Sequence, residues 1–360
     1  MNRQPVKNLK VDGAIFPGTD NLHLYEGDLS IVPERARLLE KMGFDGVFTL
    51  DTNIDPFFNL LLAAEHTERL ELITGVAVAF ARSPMTLAQQ AWNLHKYSQG
   101  RVILGLGTQV KAHIEKRFNM PWHGPAMQMR EYVLALRAIW HSWQTGEPLK
   151  FRGEFYQHTL MTPVFSPGAI SYPAPKIYVG ALGPKMVEVA AEVGDGIYGH
   201  PFNTVKFIRE MQLPSLRRGL EKSGKDFSDF DMPAMILTVT GRNKKEMSIA
   251  ENAVKRLLAF YGSTPAYYPV LEAHGWGELG PRLNQMSKLG QWYEMAQLFS
   301  DEMMQAFCVI GAPEDIPDLV AQRCDGMVDR LTLYAPYPSA DEIWPEIVRG
   351  IQSRPGKTLI

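Results

Sequence analysis

Cysteine and long hydrophobic runs are both scarce in this sequence of 360 residues. The two cysteines, Cys308 and Cys324, stand far from any metal-binding spacing, which favours buried or inert thiols over a disulfide framework. No stretch approaches the roughly 18 apolar residues that a membrane-spanning helix requires. Residues 1–7 also lack the apolar core of a secretion signal. We therefore expect a cytoplasmic protein that has no membrane partner.

An excess of one charge is also missing. The chain has 37 Lys and Arg against 39 Asp and Glu, a formal net charge of -2, which argues against nucleic acid as a main partner. It has neither the G-x-S-x-G elbow of serine hydrolases nor the H-E-x-x-H or H-x-H spacing of zinc enzymes, so we predict no metal site. The G-L-G run at 105–107 begins like a dinucleotide-binding loop, but Val110 occupies the place of its third glycine.

The most informative stretch, residues 71–106, predicts two buried strands and the helix between them. Residues 71–78 are a near-continuous apolar run, typical of a strand covered on both faces in a parallel sheet. Ser83 and Pro84 predict a helix start, and Gly100 predicts the turn before a second strand at 101–106. Small residues end both strands, at the edge where barrels and doubly wound sheets bind ligands: Gly75, Val76 and Ala77, then Gly107 and Thr108.

Strand and helix patterns alternate along the chain, which indicates a parallel α/β architecture. We predict eight strands, at 11–16, 46–50, 71–78, 101–106, 176–179, 196–198, 235–239 and 330–334. Eight such units favour the (β/α)8 TIM barrel over an open sheet. We expect one domain, 1–360, with insertions after strands 4 and 7 at about 108–175 and 241–329, although length alone also permits two domains.

Both insertions carry aromatic patterns. A predicted helix at 127–143 has apolar positions that fit core packing, and 149–164 predicts a hairpin with Gly153 near its turn. Residues 261–297 are rich in aromatic side chains, which is more typical of a lid core or a subunit contact than of a substrate site.

A glycine-containing turn follows the fifth strand. It consists of Gly180, Ala181, Leu182, Gly183, Pro184 and Lys185. Free amides at a helix N-terminus bind phosphate readily, and a lysine adds positive charge. The alternative is an ordinary tight turn with a solvated Lys185. After the sixth strand, Asn203 or Thr204 is predicted to cap the next helix.

Taken together, these segments resemble the luciferase-like superfamily of flavin- and deazaflavin-dependent oxidoreductases over residues 11–334. The phrases V-D-G at 11–13 and G-T-Q-V-K-A-H-I-E-K-R-F at 107–118 resemble its deazaflavin-dependent subgroup, and Phe151, Gly153 and Tyr156 match an F-x-G-x-x-Y element of the family. The resemblance implies a TIM barrel that binds FMN or the 8-hydroxy-5-deazaflavin coenzyme F420 at its C-terminal mouth. It implies hydride transfer to, or monooxygenation of, a small organic substrate.

The resemblance also implies which residues hold the cofactor. The ring would lie against Gly75, Val76 and Ala77, with a non-prolyl cis peptide at Gly75–Val76, and against Gly107 and Thr108. The side chain or phosphate of the cofactor would meet the turn at 180–185. As partners we expect a separate flavin reductase and further copies of this chain, in a dimer or a tetramer.

Polar residues near the predicted strand ends are the catalytic candidates: Asp51, Gln109 and His200, with His113 as a further one. Each has an ordinary structural alternative, such as a turn or a helix cap for Asp51. The histidine that several relatives place after the second strand is absent here, and Val110 stands where some relatives have a glutamate. Two alternatives therefore stay open: a non-catalytic flavin-binding relative, and a cofactor-free hydrolase or isomerase on the same barrel.

Overall fold

The structure is a computed structural model that describes residues 8–15, 28–324 and 326–357. In chain order the strands are β1 (Lys10–Ala14), β2 (Gly46–Thr49), β3 (Glu71–Thr74), β4 (Ala77–Val78), β5 (Val102–Gly107), β6 (Phe151–Arg152), β7 (Gln157–His158), β8 (Lys176–Ala181), β9 (Gly196–Gly199), β10 (Pro233–Val239), β11 (Cys308–Ile310) and β12 (Arg330–Tyr334).

The helices are α1 (Val32–Met42), α2 (Pro56–His66), α3 (Pro84–Tyr97), α4 (Lys111–Lys116), α5 (Pro125–Thr145), α6 (Pro184–Val193), α7 (Val205–Phe207), α8 (Leu213–Ser223), α9 (Lys244–Gly262), α10 (Tyr268–Glu272), α11 (Leu279–Lys288), α12 (Trp292–Ala296), α13 (Asp301–Phe307), α14 (Ile316–Cys324) and α15 (Trp344–Gln352). A π-helical turn, Ile208–Gln212, joins α7 to α8.

A curled parallel sheet forms the centre of the molecule. Its strand order is β11-β10-β12-β1-β2-β3-β5-β8-β9, and β4 pairs with β5; every pairing in this sheet is parallel. Gly196 in β9 forms a parallel bridge with Asp231, two residues before β10 begins, and the amide of Ile197 donates to the carbonyl of Asp231 at 3.2 Å. The curl therefore brings β9 towards the start of β10, which lies near the other end of the strand order.

The helix boundaries follow from local sequence signals. The side chains of Asp55 and Ser83 accept hydrogen bonds from the first turns of α2 and α3, and each is followed by a proline at the first helical position. Gly43 ends α1 with a φ of 92°, a conformation that favours glycine. Of the two predicted caps after β9, Thr204 accepts from the first turn of α7 at 3.1 Å, and Asn203 does not cap it.

Apolar side chains fill the concave face of the sheet. Phe48, Ile73, Ile103, Tyr178 and Tyr198 form one buried cluster to which no helix contributes, so it lies inside the curl. A larger cluster packs the helices against the opposite face. Both faces of the strands are covered, as their continuous apolar sequences predict.

Charged side chains gather near the N-terminal ends of the strands. The Arg330 guanidinium donates to Asp12 and to Glu71, each at 2.6 Å, and Lys10 donates to Glu71 at 2.6 Å. Arg330 and Asp12 are almost fully buried. This ion cluster lies at the end of the sheet opposite to the strand ends described below, where side chains serve stability more than function.

Two strand predictions need correction. The run 71–78 is not one strand, because β3 ends at Thr74 and β4 begins at Ala77. The short strand β11 was not predicted, since its three residues lie within the aromatic and helical segment that follows β10. The first predicted strand, 11–16, corresponds to β1, and Phe16 lies outside the described residues.

The predicted hairpin forms as β6 and β7, paired antiparallel. The Glu131 carboxylate on α5 accepts from the amides of Glu154, Phe155 and Tyr156 at 2.6–2.8 Å. A Cβ at Gly153 would lie 2.1 Å from a Glu131 oxygen, which explains the glycine in the F-x-G-x-x-Y element.

Cys308 and Cys324 are both buried and unbonded, and burial raises the pKa of each thiol to about 12. They are therefore inert thiols, as predicted. Among the described helices, none has the length and apolar character needed to cross a membrane.

Candidate functional site

The C-terminal strand ends surround a solvent-accessible mouth. Ala14, Leu50, Val76, Thr108 and Tyr334 are partly exposed, whereas the residue before each of them is buried. They follow or end five different strands of the sheet. Accessible residues at this edge of a parallel sheet are the usual setting of a ligand site.

Val76 and the glycines of two neighbouring strands form one wall of this mouth. The Gly75–Val76 peptide bond is cis, as the family resemblance predicts. A Cβ at Gly107 would lie 2.4 Å from Val76 Cγ2, and one at Gly180 would lie 3.4 Å from Val76 Cγ1. At Gly105 a Cβ would lie 2.0 Å from the carbonyl oxygen of Thr74. Glycine at these positions therefore lets the segment after β3 lie directly on β5 and β8.

Gly107 lies directly against Val76. The space that a side chain would need at this position is taken by Val76 rather than left open. Its φ is not in the left-handed region, so backbone conformation does not explain the glycine. β4 completes the wall, because Ala77 pairs with Leu106 and Val78 pairs with Gly107.

Next to this wall, Asp51 is held by hydrogen bonds to a side chain and to a backbone amide. Its carboxylate accepts from the Arg82 guanidinium at 2.6 Å and from the amide of Val78 at 2.9 Å. Arg82 also donates to Asp55 at 2.9 Å and to the carbonyl of Val78 at 3.1 Å. The side chain of Asp51 is 7% exposed, and the carboxylates of Asp51 and Asp55 hold the pKa of Arg82 above its usual value despite burial. The pair fixes β4 to the loop after β2.

Arg82 was not among the predicted site residues. Its sequence position beside a helix start gives no sign of a charge partner, and its two carboxylates lie 31 and 27 positions earlier in the chain. An arginine directly after an apolar run, 77–81, is the one signal that could have singled it out.

Gln109 and Thr108 form a compact turn after β5. Gln109 has a φ of 61°, and its side-chain oxygen accepts from the amide of Val110 at 3.0 Å. The Thr108 hydroxyl donates to the carbonyl of Gln109 at 2.9 Å. The polar atoms of both residues thus shape the turn. His113, the further candidate, is exposed on α4.

His200 lies at the end of β9 among aromatic rings. Its Nδ1 accepts from the amide of Phe202 at 3.0 Å, so a neutral ring carries its proton on Nε2. The ring centroids of Tyr267 and Tyr261 lie 4.4 and 4.8 Å from its own. Burial lowers the pKa of His200 to about 3, although the ring stays partly accessible to solvent. His200 is therefore a neutral N–H donor at ordinary pH.

The turn after β8 presents free amides to solvent. Gly183 is the N-cap of α6 and supplies no side-chain hydrogen bond to it, and Pro184 has no N–H. Within the described part of the chain, the amides of Gly183 and Lys185 have no hydrogen-bond partner. Both residues are exposed, and no atom lies within 4 Å of the Cβ direction of Gly183. The arrangement suits an anion.

Comparison with known proteins places the chain in a family. Residues 12–330 match the luciferase-like monooxygenase family. An uncharacterized protein of Mycobacterium tuberculosis is 49% identical over 325 residues, which are 90% of this chain and 93% of that protein. The 5,10-methylenetetrahydromethanopterin reductase of Archaeoglobus fulgidus is 30% identical over 310 residues, 84% of this chain and 88% of the reductase.

Solved structures agree on the fold. The coenzyme F420 dependent tetrahydromethanopterin reductase of Methanopyrus kandleri superposes with a TM-score of 0.76, covering 96% of this chain and 98% of that chain at 19% identity. The chain belongs to the luciferase-like monooxygenase family, whose members include oxidoreductases and monooxygenases.

Proposed function

We propose that this chain is a single (β/α)8-barrel domain, with insertions at about 108–175 and 241–329, that binds a deazaflavin or flavin coenzyme across its C-terminal mouth. Its reaction is hydride exchange between that coenzyme and a small organic substrate. A 5,10-methylenetetrahydromethanopterin reductase is 30% identical over 84% of this chain, and the tetrahydromethanopterin reductase of similar fold is coenzyme F420 dependent, which makes the deazaflavin coenzyme F420 the first candidate.

The wall around Val76 is the observation that carries this proposal. Gly105 and Gly107 in β5 and Gly180 in β8 bring two strands within contact of the segment at the end of β3, so backbone and one small side chain form a continuous surface. The glycines let Val76 lie directly on the neighbouring strands, and a planar ring packs well on the continuous surface that results. We infer that the ring lies against Gly75, Val76 and Ala77 and against Gly107 and Thr108.

The second element of the proposed site is the turn at Gly180, Ala181, Leu182, Gly183, Pro184 and Lys185. The amides of Gly183 and Lys185 are free, and they stand at the positive end of the ten-residue helix α6. The exposed ammonium of Lys185 adds a charge of the required sign. A phosphate on the cofactor's side chain fits this combination.

When it is bound, the ring supplies the hydride acceptor or donor. Among the catalytic candidates, we assign to His200 a hydrogen bond to the substrate, because its Nε2–H is available and its ring is held neutral. Asp51 acts as a positioning residue, since its carboxylate already pairs with the Arg82 guanidinium and accepts from the amide of Val78. Gln109 shapes the turn that bounds the mouth after β5.

A second candidate function is monooxygenation with FMN, which the description of the matching family favours. The same wall and the same anion-binding turn would hold FMN. A separate flavin reductase would then be the partner that supplies the reduced cofactor.

A binding titration tests the proposal. Coenzyme F420 and FMN, each oxidised and reduced, are added to the purified chain while visible absorbance is followed. We expect one site per chain and a spectral shift for one of the two cofactors as the ring leaves water. If neither cofactor binds in either redox state, the proposal is wrong and a cofactor-free hydrolase or isomerase is favoured. Binding without turnover of any substrate would favour the non-catalytic alternative.

A further inference from the structure

Gln212 connects the anion-binding turn to the loop after β9. It is the last residue of the π-helical turn Ile208–Gln212, and its side chain is 6% exposed. The Gln212 amide nitrogen donates to the carbonyl of Leu182 at 3.0 Å. Its amide oxygen accepts from the Asn203 side chain at 3.1 Å. Both polar groups of a buried glutamine are therefore satisfied by residues in the loops that follow two neighbouring strands, β8 and β9.

The connection continues beyond Asn203. The Asn203 side-chain oxygen accepts from the amide of Thr204 at 2.9 Å, and the Thr204 hydroxyl bonds to His274 Nε2 at 2.8 Å. The Arg323 guanidinium donates to the carbonyl of Asn203. Side chains of three other segments, Gln212, His274 and Arg323, therefore form hydrogen bonds to the loop that carries His200.

The hydrogen bond from Gln212 to the Leu182 carbonyl sets the direction of the next amide, the N–H of Gly183. In a trans peptide the C=O of one residue and the N–H of the next point in opposite directions. Because the Leu182 carbonyl points at Gln212, the Gly183 N–H points away from Gln212. Gly183 is exposed, with open space around it, so this N–H is offered to solvent.

The π-helical turn orients the Gln212 side chain towards the Leu182 carbonyl. Each residue advances an α-helix by about 100° around its axis, so one extra residue in a turn changes which side chain faces inward. Ile208–Gln212 makes that change where α7 gives way to α8. Turns of this kind occur often at functional sites.

We propose that Gln212 is a positioning residue for cofactor phosphate: it fixes the Leu182 carbonyl and thereby aims the free amide of Gly183 at the anion, beside the free amide of Lys185. This inference rests on the proposed function, since it presumes that the turn at 180–185 receives a phosphate. Gln212 itself does not touch the cofactor.

The experiment compares phosphorylated with phosphate-free forms of the same ring. Dissociation constants are measured for FMN against riboflavin, and for coenzyme F420 against its phosphate-free deazaflavin alcohol. The ratio within each pair isolates the phosphate, because a general loss of fold or of ring binding affects both forms equally. Wild type, Gln212→Met and Gln212→Glu are compared, with Asn203→Ala as a third variant that removes the donor to the Gln212 oxygen and leaves the Gln212 amide nitrogen able to donate to Leu182. Gln144→Met is the control, since Gln144 also donates to a backbone carbonyl, that of Ile170 at 3.0 Å.

We expect the preference of wild type for the phosphorylated form to fall at least fivefold in Gln212→Met and in Gln212→Glu, whose carboxylate cannot donate to Leu182. Gln144→Met should keep the preference, and Asn203→Ala should lose less of it than the Gln212 variants do. An unchanged ratio in a folded Gln212 variant overturns this inference and leaves the proposed function intact. A wild type that binds the ring without preferring phosphate overturns the inference and the anion-binding turn together. A wild type that binds neither form overturns the proposed function as well.

Discussion

Asp51 is a catalytic candidate in the sequence, but in the structure its carboxylate connects the loop after β2 to β4. A carboxylate after a buried strand can take part in proton transfer, and the sequence sets this role beside that of a turn or a helix cap. In the structure its oxygens are taken by Arg82 and by the amide of Val78. The partners are 31 and 27 residues away in the chain, so local patterns contain no trace of them.

Replacing Asp51 by Asn should therefore reduce stability more than chemistry. The variant removes a charge whose partner is almost buried, and hydrogen bonds to charged groups contribute about 1.5–3 kcal/mol. Urea unfolding should reveal a loss in this range. Asp341→Asn is the control: its carboxylate pairs with Arg35 but is 47% exposed, so its loss should stay below about 1 kcal/mol. Unchanged stability together with abolished turnover in Asp51→Asn would instead make Asp51 catalytic.

The Lys185 ammonium is expected to contribute modestly to binding of the cofactor phosphate. Lys185→Ala should weaken the phosphorylated cofactor more than its phosphate-free form, because the ammonium interacts with the phosphate alone. The loss should be modest, since the lysine is exposed and the amides remain. The control is Lys41→Ala, an exposed lysine in the last turn of α1. Equal weakening of both forms, measured by titration, would place Lys185 outside the phosphate site.

At the scale of elements, the sequence predicts the strand ends well and their packing poorly. The apolar runs and the small residues at 75–77 and 105–108 locate β5 to within a residue, but they predict β3 and β4 as one continuous strand. The contact between Val76 and Gly107 depends on the pairing of Ala77 with Leu106, which joins strands about 30 positions apart. Nothing local specifies that register. The π-helical turn at Ile208–Gln212 likewise has no sequence signature, and Gln212 was missed for that reason.

The contact between Val76 and Gly107 can be tested by substituting both residues, singly and together. Gly107→Ala places a Cβ 2.4 Å from Val76 Cγ2, so Val76 must move and cofactor binding should weaken. Val76→Ala removes that methyl group, and the double variant should bind better than the two single effects predict. A coupling above about 0.5 kcal/mol between contacting residues, measured by a double-mutant cycle on cofactor binding, is expected. Strictly additive effects would show that Gly107 acts independently of Val76.

At the scale of the whole molecule, alternating patterns were sufficient to predict a parallel α/β fold. They could not specify how the segments over 108–175 and 241–329 fold, because these depend on long-range contacts such as Tyr261 and Tyr267 against His200. Assembly as a dimer or a tetramer remains a prediction. Within the aromatic segment 261–297, Tyr261 and Tyr267 contact an apolar core, whereas Trp292 and Tyr293 are exposed.

Stability should depend on pH through a buried histidine. His95 is 3% exposed; its Nε2 donates to the carbonyl of Pro173 and its Nδ1 accepts from the amide of Val102, which fixes a neutral ring. Burial lowers the pKa of His95, whereas in the unfolded chain it is near 6.5. As the pH falls below about 6.5, the unfolded state binds the proton first, so the free energy of unfolding falls.

Urea unfolding at pH 8 and pH 5 measures this effect. The decrease on acidification should be smaller in His95→Gln than in wild type, because the variant has no proton to bind at this position. His141→Gln, at an exposed histidine, should keep the wild-type decrease. Equal decreases in wild type and His95→Gln would mean that His95 does not contribute.

Amide hydrogen exchange with and without saturating oxidised coenzyme F420 tests most directly where the cofactor lies. Exchange reports local opening and burial of individual backbone amides, so bound cofactor protects the segments it covers. We expect slower exchange in peptides that cover 75–78, 107–110 and 183–186, and no change in peptides that cover the ion cluster at 10–13 and 328–332. Protection confined to other segments, or none at saturation, would contradict the proposed site.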